Sequence, residues 1–281
     1  MPPAWAPGFA SSEAAVNGRI RALHRALAPP FAEPGDPEAG GATDPKPWRL
    51  RSLPVCASTE WELERWLAAE APEGGEVLTW PRAVVARQQR FGHGQQGRRW
   101  VSPPGGVWLS AALPWPGDPA EAAAPGLAVA VGLAQELRQR GVSVGLKWPN
   151  DLLLQTAAGP RKLAGLLPGL RLRSGRVRWA RIGVGLNGRN PVPAGATGLR
   201  RFRGVWGGEP LALTALVLAG LERAMALAMD REGVRLRAET LLHPGGPLQL
   251  DGEWWQPRGL APDGGLLLAH ADGRERNLRR F

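Results

Sequence analysis

The chain has no tyrosine, three methionines, four histidines, five phenylalanines and a single cysteine, Cys56, in 281 residues. One cysteine excludes an internal disulfide and a cysteine-rich zinc site, and such usage fits a reducing cytosol. No uninterrupted apolar span reaches the roughly 20 residues a membrane helix needs, and no continuous apolar run follows a basic N-terminus. The expectation is a cytoplasmic chain without membrane attachment. No period of about 20 to 50 residues repeats, which argues against a solenoid. Acidic residues are in short supply, 25 Asp and Glu against 35 Lys and Arg, for a formal charge of +10. That balance favours acidic partners, nucleic acid or phosphate-bearing substrates, although a basic solvated surface would produce it equally well. Against these shortages stand 13 tryptophans, 38 glycines, 28 prolines and a hydrophobic content of 43%, enough for a sizeable core.

Gly92, Gly94 and Gly97 sit in G-x-G-x-x-G spacing within RQQRFGHGQQGRRW, residues 87–100. A dinucleotide fingerprint needs a strand before the glycines and a helix opening at the last, so that a pyrophosphate meets a helix N-terminus. Upstream, RAVVARQQ reads as a strand. Downstream, RRWVSPPGGVWLSAALPW carries adjacent prolines and a Gly-Gly before another strand, so no helix can start there. The acidic residue about 20 positions on, Asp118, lies in the turn-rich PWPGDP. The stretch is therefore a glycine loop between two strands, ending in Arg98 and Arg99, and suited to closing over an anionic ligand.

Residues 1–48 form a Pro/Ala/Gly-rich extension in which APPFAEPGDPEAGGATDPKP reads as a linker and SSEAAVNGRIRALHRALA as one helix. A larger domain is expected over 49–238 and a small β unit over 239–281. Helices are predicted at TEWELERWLAAEA, where Thr59 and Glu62 have capping-box spacing, at PGLAVAVGLAQELRQRG, and as one long helix over LALTALVLAGLERAMALAMDREG. Strands are predicted at EVLTW, AVVARQQ, GVWLSAAL, VSVGLKW, KLAGLLPGLRL and RVRWARIGVGLN, the last two joined by a turn at RSGR. After about Leu241 the runs PLQL, EWWQPRGL, GLLLAH and RERNLRRF alternate with the turn signals DG, PDGG and ADG. A unit of roughly 40 residues has little core of its own and depends on docking.

Five stretches, CASTEWE, the glycine loop, GLKWPNDLLL, RKLAGLLPGL and RIGVGLNGRNP, together resemble the biotin protein ligases, also called biotin–[acetyl-CoA-carboxylase] ligases. The resemblance covers residues 53–281, and KWPND and RKLAG carry most of its specificity. It implies an α+β fold: a mixed sheet flanked by helices, akin to the catalytic domains of class II aminoacyl-tRNA synthetases, followed by a small SH3-like β-barrel. It also implies ATP-dependent attachment of biotin to a lysine of the biotin carboxyl carrier protein of acetyl-CoA carboxylase, an acidic protein substrate, with Mg²⁺ and a biotinyl-5′-AMP intermediate. Some members carry an N-terminal DNA-binding domain. The linker here points to the single-function type, with no DNA binding expected.

The resemblance extends to individual positions. Lys162 and Arg98 are the implied catalytic pair, because a carboxylate attacking a polyphosphate brings two anions together and fixed cations offset that repulsion. Lys162 would reach the biotin carboxylate and α-phosphate as a point charge, and Arg98 would hold phosphate oxygens through its fork of donors. Standing alone, either would read as solvated surface. Ser58, Thr59 and Gln89 resemble the residues that bond the ureido ring of biotin, while helix capping alone also explains Thr59. Glu60, His93, Gly94, Gln95 and Gly165 complete the implied biotin site, with Glu60 where the family commonly has asparagine. Gly97, Trp100, Asn150, Asp151 and Asn187 join Arg98 on the nucleotide side. Asp151 is the implied Mg²⁺ ligand, a hard carboxylate for a cation that keeps most of its waters, although Asn-Asp is also ordinary turn chemistry. Trp100 would cover the adenylate, while packing is the default role of a tryptophan in a chain with 13.

The glycine loop departs from the family form G-R-G-R-R-G-R: His93, Gln95 and Gln96 replace basic residues and Arg98 is kept. In the family that loop folds over biotin and its adenylate, so fewer charges imply a leakier hold, with the amides of Gly94 and Gly97 still available to phosphate. Pro168 and Gly169 stand where a glutamate is expected, and that site has no assigned role. Three other readings compete: a lipoate or octanoate ligase or transferase of the same superfamily, a biotin binder without turnover, and a basic RNA-binding module. KWPND and the Ser-Thr pair favour the biotin branch over the first. EWWQPRG offers only a fragment of the interleaved aromatic and basic residues that the last requires.

Overall fold

The computed structural model describes residues 12–27, 47–70, 77–243 and 245–279, so the linker expected over 28–47 lies outside the described residues except for Pro47. A seven-stranded sheet forms the centre. Its order is β1 (Arg49–Cys56), β2 (Arg82–Gln89), β3 (Val107–Leu113), β7 (Arg176–Leu186), β6 (Gly159–Arg173), β5 (Asp151–Thr156) and β4 (Val144–Lys147). β1 and β2 run parallel, connected through α2 (Thr59–Glu70), and every other neighbouring pair is antiparallel. The sheet is therefore mixed, as expected.

Strand periodicity sorts the core into two layers. Val84 and Ala112 face Leu63, Trp66 and Leu67 of α2. Ala83, Val85, Leu109 and Ala111 face the other way, into a larger cluster with α1 (Glu13–Ala26), α3 (Pro125–Arg138) and α4 (Pro210–Ala226). Covered on both sides, β3 is buried at all seven positions. α3 and α4 cross at glycines: a Cβ on Gly132 would collide with the Gly220 carbonyl oxygen.

α1 belongs to this core, since Val16 and Ile20 lie inside it. Its polar residues are matched too. Asn17 Nδ2 donates to the Leu50 carbonyl at 3.0 Å and Ser52 Oγ donates to Asn17 Oδ1 at 2.5 Å. Glu222 of α4 accepts from Trp48 Nε1 at 2.9 Å and bonds His24 at 3.1 Å.

Some elements differ from expectation. Val77–Trp80, within EVLTW, forms no strand; Leu78 instead packs beneath α2. β1 and β5 are additional strands. The expected long helix is two, because Asp230 caps α5 (Arg231–Leu241) by accepting from Gly233 N at 2.9 Å. At the start of α2 the capping hydroxyl is that of Ser58, which accepts from Glu60 N at 3.2 Å. Thr59 does not cap Glu62; its hydroxyl is turned inward.

β8 (Leu248–Leu250), β9 (Glu253–Leu260), β10 (Leu266–His270) and β11 (Glu275–Leu278) form a small antiparallel sheet. Leu260, Leu266, Leu268 and Trp255 are buried in the same cluster as α3 and α4. Burial stabilises each such leucine by roughly 1.5–3 kcal/mol, so the docked face contributes more than a unit of this size supplies alone. Glu239 Oε1 of α5 accepts from Leu260 N at 2.8 Å, and Trp148 Nε1 donates to the Gly264 carbonyl at 2.9 Å. Among the described residues no helix is long and apolar enough to cross a membrane.

Candidate active site

A cleft of about 430 Å³ gathers residues that are far apart in sequence. The start of α2 contributes Ser58, Thr59 and Glu60, and the end of β2 contributes Gln89. The glycine loop between β2 and β3 brings His93, Gly94, Gln95, Arg98 and Trp100. Asn150 and Asp151 come from the β4–β5 turn, Lys162 and Gly165 from β6, and Asn187 from the end of β7. Gly97 is the one expected residue outside the lining; it sits at the loop tip with φ +69°.

One end of the cleft is a set of matched polar groups between apolar walls. The Thr59 amide, left without an intrahelical partner by its place in the first turn, donates to Gln89 Oε1 at 2.7 Å. Thr59 Oγ1 donates to the same oxygen at 3.0 Å and lies 2.8 Å from Ser110 Oγ. Gln89 Nε2 donates to Ser102 Oγ at 2.9 Å. Leu167, whose side chain lies beside Gly183, supplies apolar surface on that face of the sheet. Such a group of donors and acceptors can exchange its internal bonds for those of a planar amide-like ligand.

The middle of the cleft is organised by a β-bulge. Between β5 and β6 the register shifts at Leu152 and Leu153, leaving Leu163 as the extra residue. Without the shift Lys162 and Gly165 would point to opposite faces; with it both reach the cleft. Lys162 Nζ pairs with Asp151 Oδ1 at 2.7 Å and lies 4.9 Å from the centre of the Trp100 ring. Gly165 is paired across the strands with Gly185, and the Trp100 indole rests on both. A Cβ on Gly185 would come within 2.5 Å of that indole, and one on Gly165 within 2.8 Å. The indole Nε1 is buried without a hydrogen-bond partner.

Asn150 is turned onto the sheet, its Nδ2 donating to the Leu166 carbonyl at 2.6 Å. Asn187 Oδ1 accepts from Asn190 Nδ2 at 3.0 Å, and Asn190 Oδ1 accepts from Gly188 N at 3.0 Å. Asn190 and Ser110 were not expected at the site. Asn190 lies in RIGVGLNGRNP but was given no role there, and Ser110 stands outside the five stretches; the bond to Asn187 and the contact with Thr59 reveal them. Among the described residues no group of three or more His, Cys, Asp or Glu is arranged to hold a metal ion. A cation at Asp151 would draw its other ligands from water and a polyphosphate, the usual pattern for Mg²⁺.

The glycine loop is a small ordered hairpin. Trp100 N donates to the Gly92 carbonyl at 2.8 Å and Gly94 N to the Arg98 carbonyl at 2.7 Å, around a turn with Gln96 at φ 58° and Gly97 at φ 69°. Arg98 Nε reaches the Gln95 carbonyl at 3.4 Å. His93 Nε2 lies 2.7 Å from Glu60 Oε2, and Arg181 Nη1 lies 2.6 Å from both Glu60 Oε1 and Glu64 Oε1. The Glu60 carboxylate, only 9% exposed, is thus occupied on both oxygens. Arg181 also went unrecognised in the sequence. It alternates with buried Ile182, Val184 and Leu186, on the same face as Gly183 and Gly185.

Residues 75–187 match the Biotin/lipoate A/B protein ligase family. The chain is 34% identical over 196 residues to the bifunctional ligase/repressor BirA of Escherichia coli (strain K12), covering 63% of this chain and 55% of that protein. It is 32% identical over 134 residues to the biotin--[acetyl-CoA-carboxylase] ligase of Paracoccus denitrificans, covering 46% of this chain and 53% of that protein. The chain thus spans about half the length of these curated relatives. Its fold is similar to that of the biotin protein ligase from Aquifex aeolicus in complex with biotin and ATP, with a TM-score of 0.58 at 23% identity over 82% of this chain and 94% of that one. With its signature stretches gathered around one cleft, the chain matches the Biotin/lipoate A/B protein ligase family over residues 75–187 and is similar to biotin protein ligases in sequence and in fold.

Proposed function

We propose that the protein is a biotin–[acetyl-CoA-carboxylase] ligase that joins biotin to a lysine of a biotin carboxyl carrier protein at the expense of ATP. The observation that carries this reading is the placement of Lys162. It lies between Asp151 and the Trp100 ring at the centre of the cleft, whose one end holds the Thr59–Gln89 polar set. Ser58, Thr59 and Gln89 take the ureido ring, with Gly165 beside the thiophane and valeryl portions. Glu60, His93, Gly94 and Gln95 close that end. Asn150, Asp151, Asn187 and Trp100 flank the nucleotide.

In the first step a biotin carboxylate oxygen attacks the α-phosphorus of ATP and the bond to the pyrophosphate breaks, giving biotinyl-5′-AMP. Lys162 offsets the charge between the two anions, and Arg98 with the amides of Gly94 and Gly97 holds phosphate oxygens. Mg²⁺ would enter with ATP, Asp151 would hold it, and the cation would offset charge on the phosphates. In the second step a neutral lysine amine of the carrier attacks the acyl carbon and AMP leaves. The small sheet is read as an SH3-like barrel, the site of action as the cytoplasm, and the formal charge of +10 as steering for an acidic carrier. A lipoate or octanoate chain offers nothing for the Thr59–Gln89 set to bond, and leaving those groups unmatched opposes binding.

Lys162→Ala is expected to lower carrier biotinylation at least about 10²-fold, as loss of a transition-state charge partner does. Mass spectrometry of a purified carrier domain reads this directly. Near-normal modification by the variant would remove Lys162 from the mechanism.

A further inference from the structure

Glu60 and His93 are 33 positions apart in sequence, and both differ from the residues common in the family; in the fold they are bonded to each other at 2.7 Å. Both ring nitrogens of His93 face an acceptor. Nε2 faces the Glu60 carboxylate, and Nδ1 faces the Phe91 carbonyl at 3.5 Å. Two acceptors call for two donors, which only the imidazolium supplies. A neutral ring would turn a lone pair toward one of them.

The anchor is built to survive release. Arg181 of β7 holds the other Glu60 oxygen at 2.6 Å, so when His93 leaves, the buried carboxylate keeps a partner. Opening the loop therefore breaks one charge-assisted hydrogen bond without stranding a buried charge. The charged groups around His93 are Glu60 and Glu64 of α2, Arg181 of β7, and Arg98 and Arg99 of its own loop, with Arg99 its backbone bridge partner. The Trp61 ring lies 6.1 Å away. Among the described residues, no other charged side chain of the glycine loop pairs with an anion on the scaffold.

We propose that His93 is a positioning residue that latches the glycine loop to Glu60 when protonated and frees it when neutral. The sign follows from the chemistry: the imidazolium donates to the Glu60 carboxylate, so the latch is closed at acidic pH and loosens at alkaline pH. Its consequence for holding biotinyl-5′-AMP rests on the proposed function; the latch itself does not.

Hydrogen exchange of the segment 90–100, measured on the free full-length protein at about pH 5.5 and pH 8 and normalised for intrinsic exchange, tests the latch without any ligand. Wild-type exchange is expected to be about 5-fold faster at the higher pH, the size of a partly exposed charge-assisted bond. His93→Gln should exchange fast at both pH values, and His93→Arg slowly at both, since arginine stays charged. The double variant His93→Gln, Glu60→Gln should be no faster than His93→Gln alone. A pH response that persists in His93→Gln, or additive effects of the two substitutions, would overturn the latch. Parallel dissociation of labelled biotin in the presence of ATP should follow the same pH trend. A protein whose loop responds in this way yet binds no biotin would support the latch and contradict the ligase reading.

Discussion

Cys56 ends β1 two residues before Ser58, the first of the cleft residues, and burial, with Glu62 as a second cause, pushes its thiol up to about 12. Folding withholds ionisation from this group. Its contribution to stability is therefore full below the ordinary thiol value of about 8.5 and falls as pH rises from there toward about 12. Iodoacetamide at pH 8.5 is expected to leave native Cys56 unmodified over a period in which the urea-unfolded chain is fully alkylated. Equal rates in the two states would show that the thiolate forms in the native fold. At this scale much of the cleft was legible in the sequence: Lys162, Asp151, Ser58 and Gln89 stand in stretches whose order and spacing are distinctive. The roles of Arg181 and Asn190, although both lie in RIGVGLNGRNP, and of Ser110 were not, because these side chains carry no local signature of their own; strand pairing places Arg181 and Ser110, and the bond to Asn187 places Asn190. The His93–Glu60 bond was invisible for the same reason: it is made by the fold, through the meeting of a loop with the first turn of a helix.

Where α3 and α4 cross, the glycines settle a competition between two effects. Helix propensity alone makes Gly132→Ala stabilising by about 1 kcal/mol. The backbone contact makes it destabilising, because the added methyl meets the Gly220 carbonyl and cores respond to such overpacking with losses of about 1–3 kcal/mol. We expect the contact to win, lowering the urea midpoint with little change in slope; an increased midpoint would mean that the helices separate freely. The elements that sequence periodicity located well, β2, β3, β6, β7, α2 and α3, carry strong apolar runs and clear turns at their ends. Those it missed lack them. β1 mixes arginines with Pro54 in RLRSLPVC, β5 emerges directly from the KWPND turn, and the apolar stretch from Leu211 hid the Asp230 cap that separates α4 from α5. EVLTW has strand-like residues, but Leu78 is held against α2 instead of pairing in a ladder.

Across the whole molecule, the large sheet sets the cleft and the small sheet is tied to it through a shared core. Trp255, Leu260, Leu266 and Leu268 are buried with α3 and α4, and Trp148, beside the β4–β5 turn that carries Asn150 and Asp151, bonds the small sheet at Gly264. The Asn150–Asp151 side of the cleft is therefore braced by the C-terminal unit, and the four short strands share the core of the large domain. The dinucleotide reading of the glycine loop fails at the same scale: the loop leads into β3 and no helix N-terminus follows it. The proposed function assigns this cleft, with its matched polar end and central lysine, the activation of a carboxylate that carries a ureido ring. Pyrophosphate exchange into ATP, run with Mg²⁺ and with biotin, lipoate or octanoate in parallel, tests that claim most directly. Exchange that depends on biotin and is absent with the two fatty acids is the predicted result; exchange with lipoate or octanoate alone, or with none of the three, would contradict it.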